Sequence, residues 1–196
     1  EGPAALIGMM AENAVAKNLT FGEGCSFTST AASDGTLLAA GRVYAAALTC
    51  ETKDAATFEN IVNYGSITGN HGGVAEKGNY IGGIASVQST GVISKCKNYG
   101  AITFSAAPNV WTNVAGLFGE ITKEVELREC ENHGHVMFNG PSSNGASINL
   151  GGIIGGTYYA SFTDCKNLGT VENKAQAAGT GNVNIGGFIG HHNQNA

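Results

Sequence analysis

Residues 130–136, with the sequence Cys-Glu-Asn-His-Gly-His-Val, decide the fold of this chain, because close copies of the stretch recur at a fixed distance. The Asn-x-Gly step within it begins at Asn132 and occurs again at Asn63, Asn98 and Asn167, with separations of 35, 34 and 35 residues. A fixed period of this length is typical of stacked-repeat proteins, in which each repeat adds one structural unit.

The residues of this stretch alternate between two chemical types, which is the pattern of a β-strand with one buried face. Cys130, Asn132 and Val136 fall on the side that we expect to face inward. Leu127 is also expected inside, although it lies three residues before Cys130, so the alternation shifts by one residue between them. A shift of this kind predicts a corner or a bulge between two strands.

A glycine-rich phrase alternates with the first and predicts a further strand. One copy is Gly116-Leu117-Phe118-Gly119, and related copies occupy residues 81–84, 151–155 and 186–190. Each repeat therefore offers about three short strands and a loop, and strands that recur in this way stack best as a parallel β-solenoid. We predict an all-β protein, a parallel β-solenoid (β-helix) of about five to six coils with a repeat of ~35 residues. A sandwich or a barrel is the alternative, although neither needs the same residue in every repeat.

A length of 196 residues allows one large domain or two small ones. The repeats favour one elongated domain over residues 1–196, with degenerate N-terminal coils in 1–50 and regular repeats in 58–190. The repeat stops shortly after a glycine phrase, so we expect a fragment of a longer chain with flanking domains. The net charge of −5 and the charged fraction of 13% argue against a nucleic-acid partner, which requires a basic patch. No apolar run approaches the roughly 20 residues of a membrane-spanning helix.

Two sets of repeated residues are predicted to form inward columns. Asn63, Asn98, Asn132 and Asn167 are expected to bond from coil to coil as a structural ladder, because a buried amide needs a partner. The other set, Cys96, Cys130 and Cys165, occupies the position that Ile61 fills in an earlier copy, which favours buried thiols over a disulfide or a metal site. Cys25 and Cys50 fall outside this register and could pair with each other.

Aromatic side chains are the candidate binding residues. Tyr64, Tyr99 and His133 share the outward position inside the Asn-x-Gly step and should form a surface column. Trp111 and Tyr158 lie in or beside the loops near the glycine phrase. Exposed aromatic rows can stack on sugar rings, and the alternative is that the column only covers the seam between coils.

The charged residues suggest neither a catalytic site nor a cofactor. Glu59, Glu129 and Asp164 are predicted to align with Lys95 in one vertical row, interpreted either as a solvated row or as a site for a cation or a sugar. The His-x-His pair at His133 lacks an evident third ligand, so no metal site is assigned. Motifs for a nucleophilic serine, a phosphate loop or a dinucleotide are absent from the sequence.

The glycine phrases at residues 116–119, 152–155 and 187–190 resemble the GLUG repeat of bacterial surface proteins. The companion phrase Cys-x-Asn-x-Gly-x-Val resembles the version common in secreted and surface-anchored proteins of Bacteroidetes-type bacteria. The resemblance covers residues 58–190 well and residues 5–50 loosely. It implies an extracellular β-solenoid that serves as a stalk or adhesive module attached to other domains, and it carries over no catalytic residue.

Together these patterns predict a non-catalytic extracellular module that acts as a structural stalk or adhesive element of a bacterial surface protein. A glycan or a host or bacterial surface protein is the expected partner. The alternatives are a carbohydrate-binding module and a polysaccharide-active β-helix enzyme.

Overall fold

The computed structural model describes residues 3–31, 43–71, 78–105, 111–140, 146–174 and 181–193. Residues 32–42, within or next to the degenerate N-terminal coils, lie outside this set. The described residues form 24 strands and no helix. In chain order, the strands are β1 (Ile7–Met10), β2 (Val15–Phe21), β3 (Ser26–Ala31), β4 (Tyr44–Ala45), β5 (Thr49–Thr52), β6 (Ala56–Asn63), β7 (Ser66–His71), β8 (Asn79–Gly82), β9 (Ala85–Gln88), β10 (Gly91–Ser94), β11 (Lys97–Asn98), β12 (Ile102–Ser105), β13 (Thr112–Ala115), β14 (Phe118–Ile121), β15 (Val125–Arg128), β16 (Glu131–Asn132), β17 (Val136–Phe138), β18 (Ile148–Gly151), β19 (Ile154–Thr157), β20 (Ala160–Thr163), β21 (Lys166–Asn167), β22 (Val171–Asn173), β23 (Val183–Gly186) and β24 (Ile189–His192).

The strands stack into four parallel sheets, which the chain visits in the same order in each turn. Sheet A contains β4, β8, β13, β18 and β23, and sheet B contains β1, β5, β9, β14, β19 and β24. Sheet C contains β2, β6, β10, β11, β15, β16, β20 and β21, and sheet D contains β3, β7, β12, β17 and β22. The predicted all-β parallel solenoid is confirmed. From the first to the last strand of a five-stranded column the chain makes about four turns, slightly fewer than the predicted five to six coils.

Equivalent residues of successive repeats are direct neighbours in the sheets. Asn98 pairs with Asn63 on one side and with Asn132 on the other, and Ile102 lies between Ile67 and Val136. The sequence period therefore equals one turn of the solenoid, and every repeated residue meets its own copy above and below.

Apolar side chains fill the interior as columns that run along the solenoid axis. Phe58, Ile93 and Leu127 form one column, and all three are completely buried. Phe104 and Phe138 stack in another, with ring centroids 6.2 Å apart. Burial of such side chains supplies most of the favourable free energy of folding.

A left-handed residue produces the corner in sheet C. Leu127 and Cys130 are both completely buried, and Glu129 between them has a φ of 52°. Asn60, Lys95 and Asp164 take the same conformation in the other coils, with φ values of 55°, 56° and 53°. The register runs one to one across this position in neighbouring coils, so the one-residue shift in the alternation is a corner at a left-handed residue and not a bulge, and it keeps both flanking apolar side chains inside.

Both ends of the described solenoid expose some apolar side chains. Near the first end, Phe21 and Met10 are only 8% and 5% exposed, but Leu6, in register with the buried Leu48, is 59% exposed. At the other end, Ile185 continues the column of the buried Leu150 but is 53% exposed, and Phe188 is 38% exposed. The last turn therefore leaves apolar core side chains in contact with solvent.

Candidate functional site

The Asn-x-Gly step joins sheet C to sheet D and carries most of the candidate residues. Its asparagines face inward, where Asn63, Asn98 and Asn132 are completely buried. The Nδ2 atom of each amide donates a hydrogen bond to Oδ1 of the next one, over 2.8 Å to Asn98, 3.0 Å to Asn132 and 2.9 Å to Asn167.

Each amide of this ladder also bonds its own backbone. The Nδ2 atom of Asn98 donates to the carbonyl of Gly100 at 2.9 Å, and that of Asn132 donates to the carbonyl of Gly134 at 3.1 Å. These partners offset the loss of hydration that burial imposes on an amide. The ladder therefore holds the coils together and does not present its amides to a ligand.

The cysteines form a second inward column beside the ladder. Cys96 and Cys130 are completely buried, Cys165 is partly exposed, and all are free thiols. The hydrogen bond with Cys165 favours the Cys130 thiolate, but the hydrogen bond with Cys96 and burial outweigh it and raise the pKa of Cys130 to about 12. Thiols that stay protonated at neutral pH are poor nucleophiles and poor metal ligands. Cys25 and Cys50 are also free thiols, so the possible disulfide between them is not formed.

Tyr64, Tyr99 and His133 lie one above another on the outer surface and are called the aromatic column below. The ring centroids of the two tyrosines are 4.8 Å apart at an interplanar angle of 11°. Those of Tyr99 and His133 are 4.4 Å apart at 16°. The rings therefore face one another, and both faces of Tyr99 are covered. Stacking on a sugar ring needs an exposed ring face, and neither face of Tyr99 is exposed.

A charged cluster adjoins the aromatic column. Lys97, Glu131 and Lys166 follow one another in register and are called the charge column below. The Oε2 atom of Glu131 accepts from Nζ of Lys97 at 3.1 Å and lies 2.9 Å from Nε2 of His133. Its Oε1 atom is 3.8 Å from Nζ of Lys166. The hydrogen bonds with His133 and Lys97 hold the pKa of Glu131 below its usual range, so the carboxylate is ionised at neutral pH.

The left-handed corner residues form a parallel row, called the corner column below, which consists of Asn60, Lys95, Glu129 and Asp164. The predicted row contained Glu59 in place of Asn60, and this assignment is wrong. Glu59 pairs with Ser94 in the neighbouring row, and its Oε2 atom lies 2.7 Å from Nζ of Lys17. An open groove of about 710 Å³ runs between the corner column and the charge column. We call it the corner groove.

The other two aromatic candidates lie on different sheets. Trp111 precedes β13 of sheet A, and its ring meets that of His191 edge to face with centroids 5.3 Å apart. Tyr158 follows β19 of sheet B, and its carbonyl oxygen lies 2.9 Å from Nε2 of His192. The fold therefore gathers Tyr64, Tyr99 and His133 at one surface and leaves Trp111 and Tyr158 away from it.

A second amide ladder was not predicted from the sequence. The Nδ2 atom of Asn149 donates to Oδ1 of Asn113 at 2.7 Å, and that of Asn184 donates to Oδ1 of Asn149 at 2.8 Å. A signal for it exists, because each of these residues stands between aliphatic or threonine neighbours at the repeat period. Its members are buried or partly buried in sheet A, so this ladder also serves cohesion between coils.

Comparison with protein-family models, curated proteins and solved structures found no match to this chain. No helix long and apolar enough to cross a membrane occurs among the described residues. Over the same residues, no group of three or more His, Cys, Asp or Glu side chains is arranged to hold a metal ion. The candidate site is thus defined by the geometry of the solenoid surface alone.

Proposed function

We propose that this chain is a non-catalytic extracellular repeat module that gives a bacterial surface protein a rigid, adhesive segment. The observation that carries the proposal is the buried ladder at Asn98 and Asn132, which bonds each coil to the next. In a solenoid, stability comes from each repeat and from its contacts with its neighbours. The residues that recur are therefore those that make the body stiff along its axis.

The extracellular assignment is supported by the resemblance of the glycine phrases to GLUG repeats, and the state of the thiols is compatible with it. Burial raises the pKa of Cys50 to about 12, and Cys130 is protonated for the reasons given above. Cysteines of this kind act as small apolar side chains and do not require a reducing compartment.

Force spectroscopy on the intact chain, pulled through its two termini, tests the structural part of the proposal. A stalk should extend little until one or a few cooperative unfolding events occur, because the coils are cross-bonded by the ladder. The Asn132→Leu variant should unfold at lower force, and Glu124→Gln, an exposed residue outside the ladder, should match the unsubstituted chain. Gradual extension at low force by the unsubstituted chain would exclude a load-bearing role.

The adhesive and extracellular parts need separate measurements. Antibodies to the chain should label intact cells of the source bacterium, and labelling only after lysis would contradict surface exposure. A depolymerisation assay on polysaccharides should show no product formation, whereas turnover by the purified chain would favour the enzyme alternative.

A further inference from the structure

The corner groove offers a binding surface that runs along the solenoid axis. The binding inferred for this groove rests on the proposed adhesive role and gives that role a site. The first wall of the groove is the corner column, with side chains from four successive coils, and its second wall is the charge column. Successive coils are about 4.8 Å apart, so the first wall is about 14 Å long. The shape suits an extended chain that lies parallel to the axis.

The corner column places charged side chains where the backbone does not favour them. A left-handed φ is adopted most easily by glycine or asparagine. Asn18 and Asn60 fill this position in the earlier coils, whereas Lys95, Glu129 and Asp164 fill it in the later ones. These later residues are exposed, so neither backbone conformation nor core packing explains their charges.

Two carboxylates of this wall have no cationic partner among the described residues. The ion pairs on this face join Lys17 to Glu59, Arg128 to Glu126, and the members of the charge column to one another. None of them involves Glu129 or Asp164 over the part of the chain that the structure describes. Both carboxylates therefore face the groove with acceptor capacity unused.

The opposite wall holds a carboxylate in a fixed position. The side chain of Glu131 is only 17% exposed, and its Oε2 atom is bonded to Lys97 and His133. The Oε1 atom has only a long contact of 3.8 Å with Lys166. A carboxylate oxygen has two acceptor sites, so Oε1 remains able to accept a hydrogen bond from a ligand in the groove.

The charges of the groove decide the class of ligand. Lys95, Lys97 and Lys166 contribute three positive charges, and Glu129, Glu131 and Asp164 contribute three negative ones, so the formal sum is zero. A balanced groove gives no net attraction to a polyanion or a polycation. Carboxylates accept hydrogen bonds and ammonium groups donate them, and a hydroxyl group can do both.

We propose that the corner groove binds an uncharged, hydroxyl-rich polymer, that is, a neutral polysaccharide chain laid along the solenoid axis. The carboxylate and ammonium groups of the two walls bond its hydroxyls, and His133 lies beside the second wall through its contact with Glu131. The faces of the Tyr99 ring take no part, because they are stacked on Tyr64 and His133.

Affinity electrophoresis of the folded chain tests this proposal with two sets of probes. The neutral gels contain a β-glucan, a galactomannan or dextran, and the anionic gels contain polygalacturonate or alginate. We expect retardation in at least one neutral gel that persists at high salt, because no net charge is involved. The double variant Glu129→Gln/Asp164→Asn should bind about tenfold or more weakly, since it loses charge-assisted hydrogen bonds.

The matched control is Glu124→Gln, which removes one negative charge at an exposed position outside the groove and should bind like the unsubstituted chain. Equal binding by the folded double variant would overturn the proposal, and so would preferential, salt-sensitive retention in the anionic gels. Absence of retardation in every neutral gel would also overturn it. Force resistance measured on the same preparation reports separately on the stalk, so failure of the groove and failure of the proposed function are distinguishable.

Discussion

The side-chain amide of Asn132 occupies the space that a Cβ atom on Gly116 would need. An ideal Cβ built on Gly116 lies 2.2 Å from Cγ of Asn132 and 2.2 Å from the carbonyl oxygen of Gly152. The same relationship joins Gly83 to Asn98, with Cγ 2.7 Å from the ideal Cβ position. The two repeated phrases of the sequence are therefore halves of one packing arrangement, in which the glycine phrase leaves room for the ladder.

Replacement of Gly116 by alanine should consequently destabilise the fold. The new methyl group overlaps a buried amide and a backbone oxygen, and overpacking of this kind costs about 1–3 kcal/mol. Urea unfolding measures the change. The control is Gly187→Ala in the last glycine phrase, where no atom lies within 4 Å of the ideal Cβ, and this variant should be close to neutral. Equal stability of the two variants would contradict the proposed packing.

The ladder itself is tested by Asn132→Leu. This substitution removes the ladder bonds to Asn98 and Asn167 and leaves the buried N–H of Gly134 without its side-chain acceptor, and an unpaired buried group costs about 1–3 kcal/mol. A leucine of similar size does not replace these bonds. Thermal melting followed by circular dichroism should show a clear fall in Tm, with the exposed Asn139→Leu as control. An unchanged Tm would remove the ladder from the account of stability.

Much of this fold can be predicted from the repeat period of the sequence. Equal spacing of Asn98, Asn132 and Asn167 predicts that they meet in space, because only a stacked solenoid places every copy beside the next. The shift in alternation between Leu127 and Cys130 predicts the corner, because both side chains point inward although they are three residues apart. The row assigned to Glu59 failed because Glu59 lies two residues before the apolar position of Ile61, whereas the other members of the row lie one residue before that position. Alignment on the apolar position of Ile61 places Asn60 beside Lys95.

Other features depend on side-chain packing that alternation does not encode. All four residues of β13 are buried, since strands of sheet B pack against it, so alternation does not reveal which way Asn113 points. The orientation of the Tyr99 ring depends on side-chain torsions and on its neighbours in other coils. Period and polarity predict the column of aromatic residues, but they do not predict whether ring faces or ring edges meet solvent.

Buried thiols should make the protein less stable in alkali. The pKa of Cys130 is raised from its ordinary value of 9.0 to about 12, so the folded state retains its proton at a pH where the unfolded chain loses it. The contribution to stability is fully present below about pH 9 and is lost as the pH rises toward 12. Between pH 9 and pH 10 the loss from this thiol should be about 1 kcal/mol.

Urea unfolding of the unsubstituted chain and of Cys130→Val at both pH values isolates this contribution. Lysine ion pairs also weaken in alkali, and they do so in both proteins, so the difference between the two pH dependences reports on the thiol. Parallel pH dependences would show that the Cys130 thiol does not titrate differently in the folded and unfolded states.

The exposed interior of the last turn should promote self-association of this chain. Ile185 and Phe188 belong to core columns but are 53% and 38% exposed, and an exposed apolar patch with unpaired strand edges favours contact between molecules. Sedimentation velocity should show association that increases with concentration and decreases in Ile185→Lys. The control Val92→Lys alters an exposed apolar residue on the side of the solenoid and should leave association unchanged. A monomer at all concentrations would refute the prediction.

The aromatic column should contribute more to cohesion between coils than to ligand binding. Tyr99 stacks on Tyr64 on one side and on His133 on the other, so Tyr99→Ala removes two ring contacts. Each aromatic pair stabilises by about 0.5–1.5 kcal/mol beyond its buried area, and a measurable fall in Tm should follow. Tyr159→Ala, at a residue that is 54% exposed, should change Tm little. Retardation in the neutral gels should fall less for folded Tyr99→Ala than for Glu129→Gln/Asp164→Asn. The opposite ranking, with Tm unchanged, would make the aromatic column the binding surface and the corner groove a solvated seam.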